Sequence, residues 1–263
     1  MKNAPNVLNY LLGRGKLYLA RLVDGVNMGE MDVGNVTAFT VNPAVEMLDH
    51  FESMSGVKDK DMSVVTTIGM TGKFTTDEYS RNNLMLALFG STEQTIQQAT
   101  GHQINAPILA RLDKWVKLPH RNLDAASVVV TNVAGTVTYI LGTDYNVDTD
   151  VGRIFAIDGG AITEGQTLHV DYNYNSTEYP LVEAIETDGI ECLVRFVGDP
   201  QSGPVYEAEL WRVSMKPASE LGFISDEWAK MDFEFECLKD TAGHPDHPWG
   251  RVIDKTTNES IVS

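Results

Sequence analysis

Apolar and polar side chains alternate along much of this chain, and a period of two residues confines such segments to β-sheet. The clearest case is Met62–Met70, with Val64, Thr66 and Ile68 on one face and Val65 and Thr67 on the other. Glu46–Phe51 reads as a strand ahead of it. Between the two, Glu52–Asp61 is a polar loop far longer than a tight hairpin requires. A turn at Thr71–Gly72–Lys73 is expected to lead through Phe74–Thr76 into a short helix. In that helix Leu84 and Leu88, and Met85 and Phe89, stand four apart as an apolar stripe. Asp77 or Ser80 can cap its start, and Gly90 can supply a left-handed end. No nucleophile, base or metal cluster is concentrated in this stretch, so the loop reads as a device that reaches outside the monomer.

The remaining segments are mostly strands. Residues 1–13 form a largely apolar arm, with Val7, Leu8, Tyr10 and Leu11, placed to dock on its own fold or on a neighbour. Lys16–Val23 and Val36–Val41 are strands separated by a glycine-containing loop. Glu93–Ala99 and Leu112–Leu118 read as further strands. From His120 the pattern changes to short pieces, Ser127–Thr131, Thr136–Leu141, Arg153–Ile157 and Thr167–Tyr174, divided by Gly/Asp turns. Polar, proline-containing flanks bound this region. The expectation is therefore a small all-β domain over residues 120–178, inserted into a main domain formed by 1–119 and 179–263. Longer strands resume at Tyr179–Glu186, Ile190–Val197, Val205–Met215 and Lys230–Leu238. Lys216–Trp228 between the last two reads as irregular, and the tail from His244 as loop.

The 263 residues are enough for a substantial core, and the opening segment has no long apolar run of a secretory signal or membrane span. Cys192 and Cys237 both lie in strand-like segments and read as buried free thiols. The formal net charge of −17 argues against gripping DNA, because affinity for phosphate needs Lys or Arg to displace counterions. Glu207 and Glu209 share one strand face, as do Asp232, Glu234 and Glu236. Paired acids can hydrolyse glycosides, but a wet strand face has the same pattern. His244-Pro-Asp-His247 is a weak metal pattern in a proline-broken loop. Asp144, Asp148 and Asp150 read as turn formers. Tyr139, Tyr145, Tyr172 and Tyr174 can be a sugar-stacking surface or, more simply, the aromatics of a small core. Phosphate-loop, dinucleotide, nucleophile-elbow and zincin motifs are absent from the sequence. Neither a catalytic residue nor a cofactor is assigned.

The N-terminal third resembles the tail tube proteins of long-tailed bacteriophages of the siphophage type. The matching pieces are Asn9-Tyr10, Gly13–Tyr18 leading into the first strand, Val33-Gly34-Asn35, Glu46–Phe51, the Gly56–Asp61 loop, Gly72–Glu78 and the Ser80–Gly90 helix. Their order over about the first 90 residues carries the likeness. The inserted unit, with Gly142–Tyr145 and Leu168–Tyr172, is similar to the surface β domains that some of those proteins carry. The resemblance implies a mainly β, sandwich- or barrel-like subunit with one short helix. Such subunits assemble as hexameric rings stacked into a tube, with tape measure and tail terminator proteins as further partners. It implies a virion protein assembled in the host cytoplasm, with the inserted domain on the tube exterior and no membrane insertion. Six subunits giving four strands each would close an inner barrel of about 50 Å backbone diameter, wider than a DNA duplex. DNA would pass through it without specific binding, repelled by an acidic lining over a Debye length of about 8 Å. Glu207, Glu209, Asp232, Glu234 and Glu236 are the candidate lumen-facing acids. Glu52, Ser53, Met54, Ser55, Gly56, Val57, Lys58, Asp59, Lys60 and Asp61 form the expected inter-ring loop, with Lys58 and Lys60 placed to pair with acids of the next ring. The competing reading is an adhesin that binds host-surface carbohydrate through the inserted domain.

Overall fold

A computed structural model describes residues 9–54, 56–90, 94–218 and 220–256. The first strands are β1 (Gly15–Val23), β2 (Val26–Asp32), β3 (Val36–Phe51) and β4 (Lys60–Thr76), followed by the helix α1 (Arg81–Leu88). Then come β5 (Gln94–Gln98), β6 (Gly101–Leu109), β7 (Trp115–Lys117), β8 (Val129–Asn132), β9 (Tyr145–Asp148), β10 (Arg153–Ala156), β11 (Thr167–Tyr174) and β12 (Thr177–Leu181). The chain continues through β13 (Ile190–Gly198), β14 (Tyr206–Met215), β15 (Met231–Cys237) and β16 (Gly250–Asp254). Every ladder between these strands is antiparallel, so the protein is mainly β with one helix among the described residues.

Two compact units divide the chain: residues 1–92 with 182–263, and residues 93–181. In the first, an eight-stranded sheet runs β2-β1-β13-β14-β15-β4-β3, and β16 pairs with β14 over Tyr206–Leu210, ahead of the part that meets β15. The sheet curls over itself. Phe39 on β3 stacks on Phe196 of β13, four places away in strand order, with ring centroids 5.6 Å apart. A flat sheet cannot bring those rings together, so the sandwich-like character of this unit follows from the contact. Strand alternation fills the interior. Met231, Phe233, Phe235 and Cys237 point inward along β15 while Asp232, Glu234 and Glu236 point outward. Phe233 stacks on Phe74 of β4 at 4.7 Å. The turn expected at Thr71–Gly72–Lys73 is instead uninterrupted strand, and Gly72 serves the packing: a Cβ there would overlap the Phe235 ring. Cys192 and Cys237 are free and buried, and burial pushes their thiols up to about 12 and about 11, which leaves them unreactive at neutral pH.

Helix α1 is capped by Ser80, whose hydroxyl accepts from the Asn83 N–H at 3.1 Å. Its end differs from expectation, because Phe89 (φ 53°), not Gly90, takes the left-handed position. Gly90 is required for space: a Cβ would sit 2.8 Å from the Glu183 carbonyl oxygen. The inward face consists of Asn83, Leu86 and Ala87, whereas Leu84 and Leu88 are half-buried. A helix this short touches neighbours on several sides, so one stripe does not describe it. The carbonyls of Ala87, Leu88 and Phe89 accept from the N–H groups of Ala218, Ile185 and Glu186, which satisfies the helix end with two loops.

The second unit has its own core. Sheets β6-β11-β8 and β7-β10-β9 contribute Ala106, Ile108, Val130, Leu168, Val170 and Tyr172, and Tyr145, Ile154 and Ala156, to one cluster. The two-stranded pair β5–β12 lies where the chain enters and leaves the unit. The unit begins at residue 93, earlier than the change of pattern at His120, because β6 is the long partner of β11 and β7 completes the sheet with β10. Thr136–Leu141 supplies only isolated bridges through Thr138 and Leu141, while the neighbouring Tyr145–Asp148 forms the strand. Asp144 accepts from the Ile140 and Ala161 N–H groups, both at 2.8 Å, and Asp148 accepts from Val151 and pairs with Arg153, so these acids shape turns.

Candidate functional site

The most unusual surface of the first unit is the outer half of the β3–β4 hairpin. The strands contain 16 and 17 residues. From Thr71 to Thr76, β4 has β15 on its other side; from Lys60 to Met70 it pairs with β3 alone. Residues 43–51 and 60–70 therefore form a free two-stranded ribbon about 31 Å long at about 3.4 Å per residue. Its apolar side chains are on both faces and in the open: Val45, Met47, Leu48, Phe51, Met62, Val64, Val65 and Ile68 are each about half exposed or more. At the tip Met54 is 93% and Val57 67% exposed. An isolated hairpin is marginal in water, and a surface of this kind marks a place where another surface belongs.

Polar contacts hold the ribbon in shape. The Glu52 N–H donates to the Asp59 carbonyl at 2.9 Å, closing the tip, so the loop is residues 52–59, with Lys60 and Asp61 already in β4. Lys60 pairs with Asp49 at 2.6 Å, and the Ser63 hydroxyl donates to the same carboxylate at 2.7 Å. The Lys60 bond and then the Ser63 bond hold Asp49 below the usual carboxylate range. His50 Nδ1 meets Asp61 at 2.6 Å. Lys60 is thus engaged within its own hairpin, while Lys58 has no ion pair among the described residues. Ser55 of the expected inter-ring loop lies outside the described residues.

The described part of the N-terminal arm docks by its backbone and presents its side chains outward. The Leu12 N–H donates to the Ser202 carbonyl at 2.9 Å, while Tyr10 and Leu11 remain exposed. Val7 and Leu8 lie outside the described residues.

The five candidate lumen acids separate into two kinds. Asp232, Glu234 and Glu236 are exposed on β15, where Thr75 donates to Asp232 at 2.5 Å and Glu234 stands opposite Lys73. Glu207 and Glu209 are 8% and 3% exposed and cannot form an acidic lining. They sit in an ionic network: Arg195 of β13 reaches Glu207 at 2.9 Å, Glu30 of β2 at 2.8 Å, and also Glu209. Arg251 reaches Glu209 at 2.5 Å, and Lys255 pairs with Glu207. The Lys255 and Arg195 bonds hold Glu207 ionised below its ordinary range, so it is poorly placed to donate a proton as a hydrolase acid. Arg195 reads only as an apolar-strand interruption in the sequence. Its role depends on the strands that flank it.

Other candidate chemistry is absorbed by structure. His244 bonds Asp240 at 2.8 Å and stacks on Trp211 at 3.8 Å, while the Trp211 indole N–H donates to the His247 carbonyl at 2.8 Å. Among the described residues no group of three or more His, Cys, Asp or Glu side chains is arranged to hold a metal ion. Tyr139, Tyr145 and Tyr172 are buried in the second unit's core, and Tyr174 lies half-buried with its ring stacked on His120 at 3.8 Å. Among the described residues no helix is long and apolar enough to cross a membrane.

The sequence reading passes over one apolar surface. Phe223, Ile224 and Trp228 lie in the segment read as an irregular link, and all three are largely exposed. Their signal is three large apolar residues within six positions, too short a run to declare a strand or a helix.

A family model described as "Protein of unknown function UCP028589" matches residues 10–251, which spans both units. None of the curated proteins matches the chain. The chain belongs to that family.

Proposed function

We propose that this member of a family of unknown function is a structural virion protein, a tail tube subunit whose hexameric rings stack into a conduit for double-stranded DNA. The observation that carries the reading is the free β3–β4 ribbon, apolar on both faces and attached to a curled sheet with open edges. A monomer gains nothing from it. A ring gains a covered apolar surface and paired edges, since copies related by rotation bury one another's hairpins and edge strands. The tip, residues 52–59, is long enough to reach a neighbouring ring, with Lys58 as its unengaged cation, and the exposed Tyr10 and Leu11 offer a second stacking contact.

Asp232, Glu234 and Glu236 are the acids fit to line a DNA conduit, because they are exposed and share one strand face. Such a lining repels phosphate within a Debye length, and the exposed Lys73 on the same face stands opposite Glu234, whose charge offsets it. The second unit closes its own core and belongs on the tube exterior, where the bore does not limit its size. Tape measure and tail terminator proteins are the partners expected inside and at the end of such a tube. The carbohydrate-binding alternative has lost its stacking platform, because three of its four tyrosines are core residues.

The test is negative-stain microscopy of the purified protein beside a variant lacking Ser53–Asp61. Rings or tubes from the parent, with folded but non-stacking subunits from the deletion, support the proposal. A parent that stays monomeric at every concentration, or a deletion variant that makes normal tubes, refutes it.

A further inference from the structure

The link between β14 and β15 contains a projecting loop with a fixed base. The Tyr79 hydroxyl lies 3.1 Å from the Gly222 carbonyl and 3.2 Å from the Lys230 carbonyl, so one side chain gathers both ends of Gly222–Lys230. From this base the loop presents Phe223, Ile224 and Trp228 at 76%, 98% and 90% exposure. Polar side chains would cost less at such positions, and three large apolar groups on a pinned loop form an anchor without its socket.

The same unit carries a socket of matching size and chemistry. A cavity of ≈ 200 Å³ opens beside α1, lined by Leu19, Met28, Met31, Met85, Leu86 and Ile190 among others. An apolar cavity of about 150 Å³ accepts a benzene ring, so this one has room for an aromatic side chain. Methionines suit an adaptable pocket. Its mouth is at β2, an edge strand where Met28 and Val26 are exposed. The charges correspond in sign: the one charged residue among those lining the cavity is Arg21, which already has a partner of its own, while the loop between its pinned ends carries only Asp226 and Glu227.

We infer that the Gly222–Lys230 loop of one copy seats in the Met28/Met31/Met85 cavity of a second copy. Loop and cavity are different surfaces, so the contact is head-to-tail, the kind that generates closed rings or filaments. One buried aromatic side chain contributes about 150–250 Å². That is below the roughly 800 Å² per partner of a stable interface, so the contact acts beside the hairpin in the full assembly and is weak alone. The inference does not depend on the tail tube reading; it concerns any self-assembly of this chain.

Two full-length variants test it. Trp228→Ala with Ile224→Ser disables the loop, and Met28→Glu disables the cavity by setting an acid against the loop's acids. All three positions are exposed in the monomer, so each variant keeps the parent's circular dichroism and melting temperature. Each alone is expected to lose head-to-tail oligomers by sedimentation. An equimolar mixture at on the order of 100 μM retains one intact loop and one intact cavity, and is expected to regain dimers that neither variant forms alone. Variants that oligomerise like the parent, a mixture that stays monomeric, or a parent that never self-associates would each overturn the inference. Dimers in the mixture together with unchanged stacking by the Ser53–Asp61 deletion would retain this contact while rejecting the tip's role.

Discussion

The two halves of the β3–β4 hairpin are made of the same kind of sequence and lead different lives. Near its root, Phe39 and Phe74 pack against Phe196, Phe233 and Phe235 in the core. Farther out, Leu48, Val64 and Ile68 repeat the alternation with nothing over them. Strand pairing continues across both halves without a break in partner. The difference lies in what stands across from each face, and it shows that an apolar alternation records the need for a partner without naming one. At the root the partner is the same chain. At the outer half no such partner exists among the described residues, and the proposed one is another copy.

The comparison breaks most sharply at Phe233. Its replacement by Ala removes a fully buried ring stacked on Phe74 and is expected to cost about 3–5 kcal/mol in urea unfolding. A loss below about 1 kcal/mol, the range of surface substitutions, would mean that the root is no better packed than the outer ribbon. Gly72→Ala probes the same region more gently. A methyl group that collides with the Phe235 ring should cost about 1–3 kcal/mol, and an unchanged denaturation midpoint would contradict the close approach.

Acid should loosen the sheet as its paired carboxylates take up protons. Glu207 has its pKa lowered in the folded state, chiefly by Lys255, so its contribution is complete above the unfolded value of about 4.3 and is lost as the pH falls through the lower folded value. The urea midpoint should therefore decline as the pH falls below about 4.3, and less steeply in a Lys255→Met variant. Equal slopes would remove Lys255 from the account. The smallest stability effect belongs to the outer half. Leu48→Ser combined with Val64→Ser should leave monomer stability within about 0.5 kcal/mol of the parent per site, while ring formation in the microscope disappears. Normal rings from this variant would separate the ribbon from assembly.

Much of the architecture is legible without coordinates because strong alternation declares itself. Strands β1, β11, β13, β14 and β15 stand where the alternation puts them, within a residue or so at either end. Strands β2, β9 and β16 were hidden because their segments contain few alternating apolar residues: β2 and β16 are edge strands whose side chains are mostly exposed. Gly72 looked like a turn because glycine marks turns and close approaches alike, and only the Phe235 ring distinguishes them. The hairpin tip was visible as excess length, but the apolar loop at Phe223–Trp228 has no period and left no pattern to read.

What the residues determined alone was local: where most strands run, which side chains share a face, that Asp77 or Ser80 caps the helix, and that both cysteines are buried. Tertiary structure decided what each face meets. Glu207/Glu209 and Asp232/Glu234 have the same two-residue spacing, yet the first pair is buried among Arg195, Arg251 and Lys255 and the second faces solvent. The reason is the geometry of a strand. Its period sets orientation about its own axis, whereas burial and charge pairing depend on neighbours that arrive from distant parts of the chain.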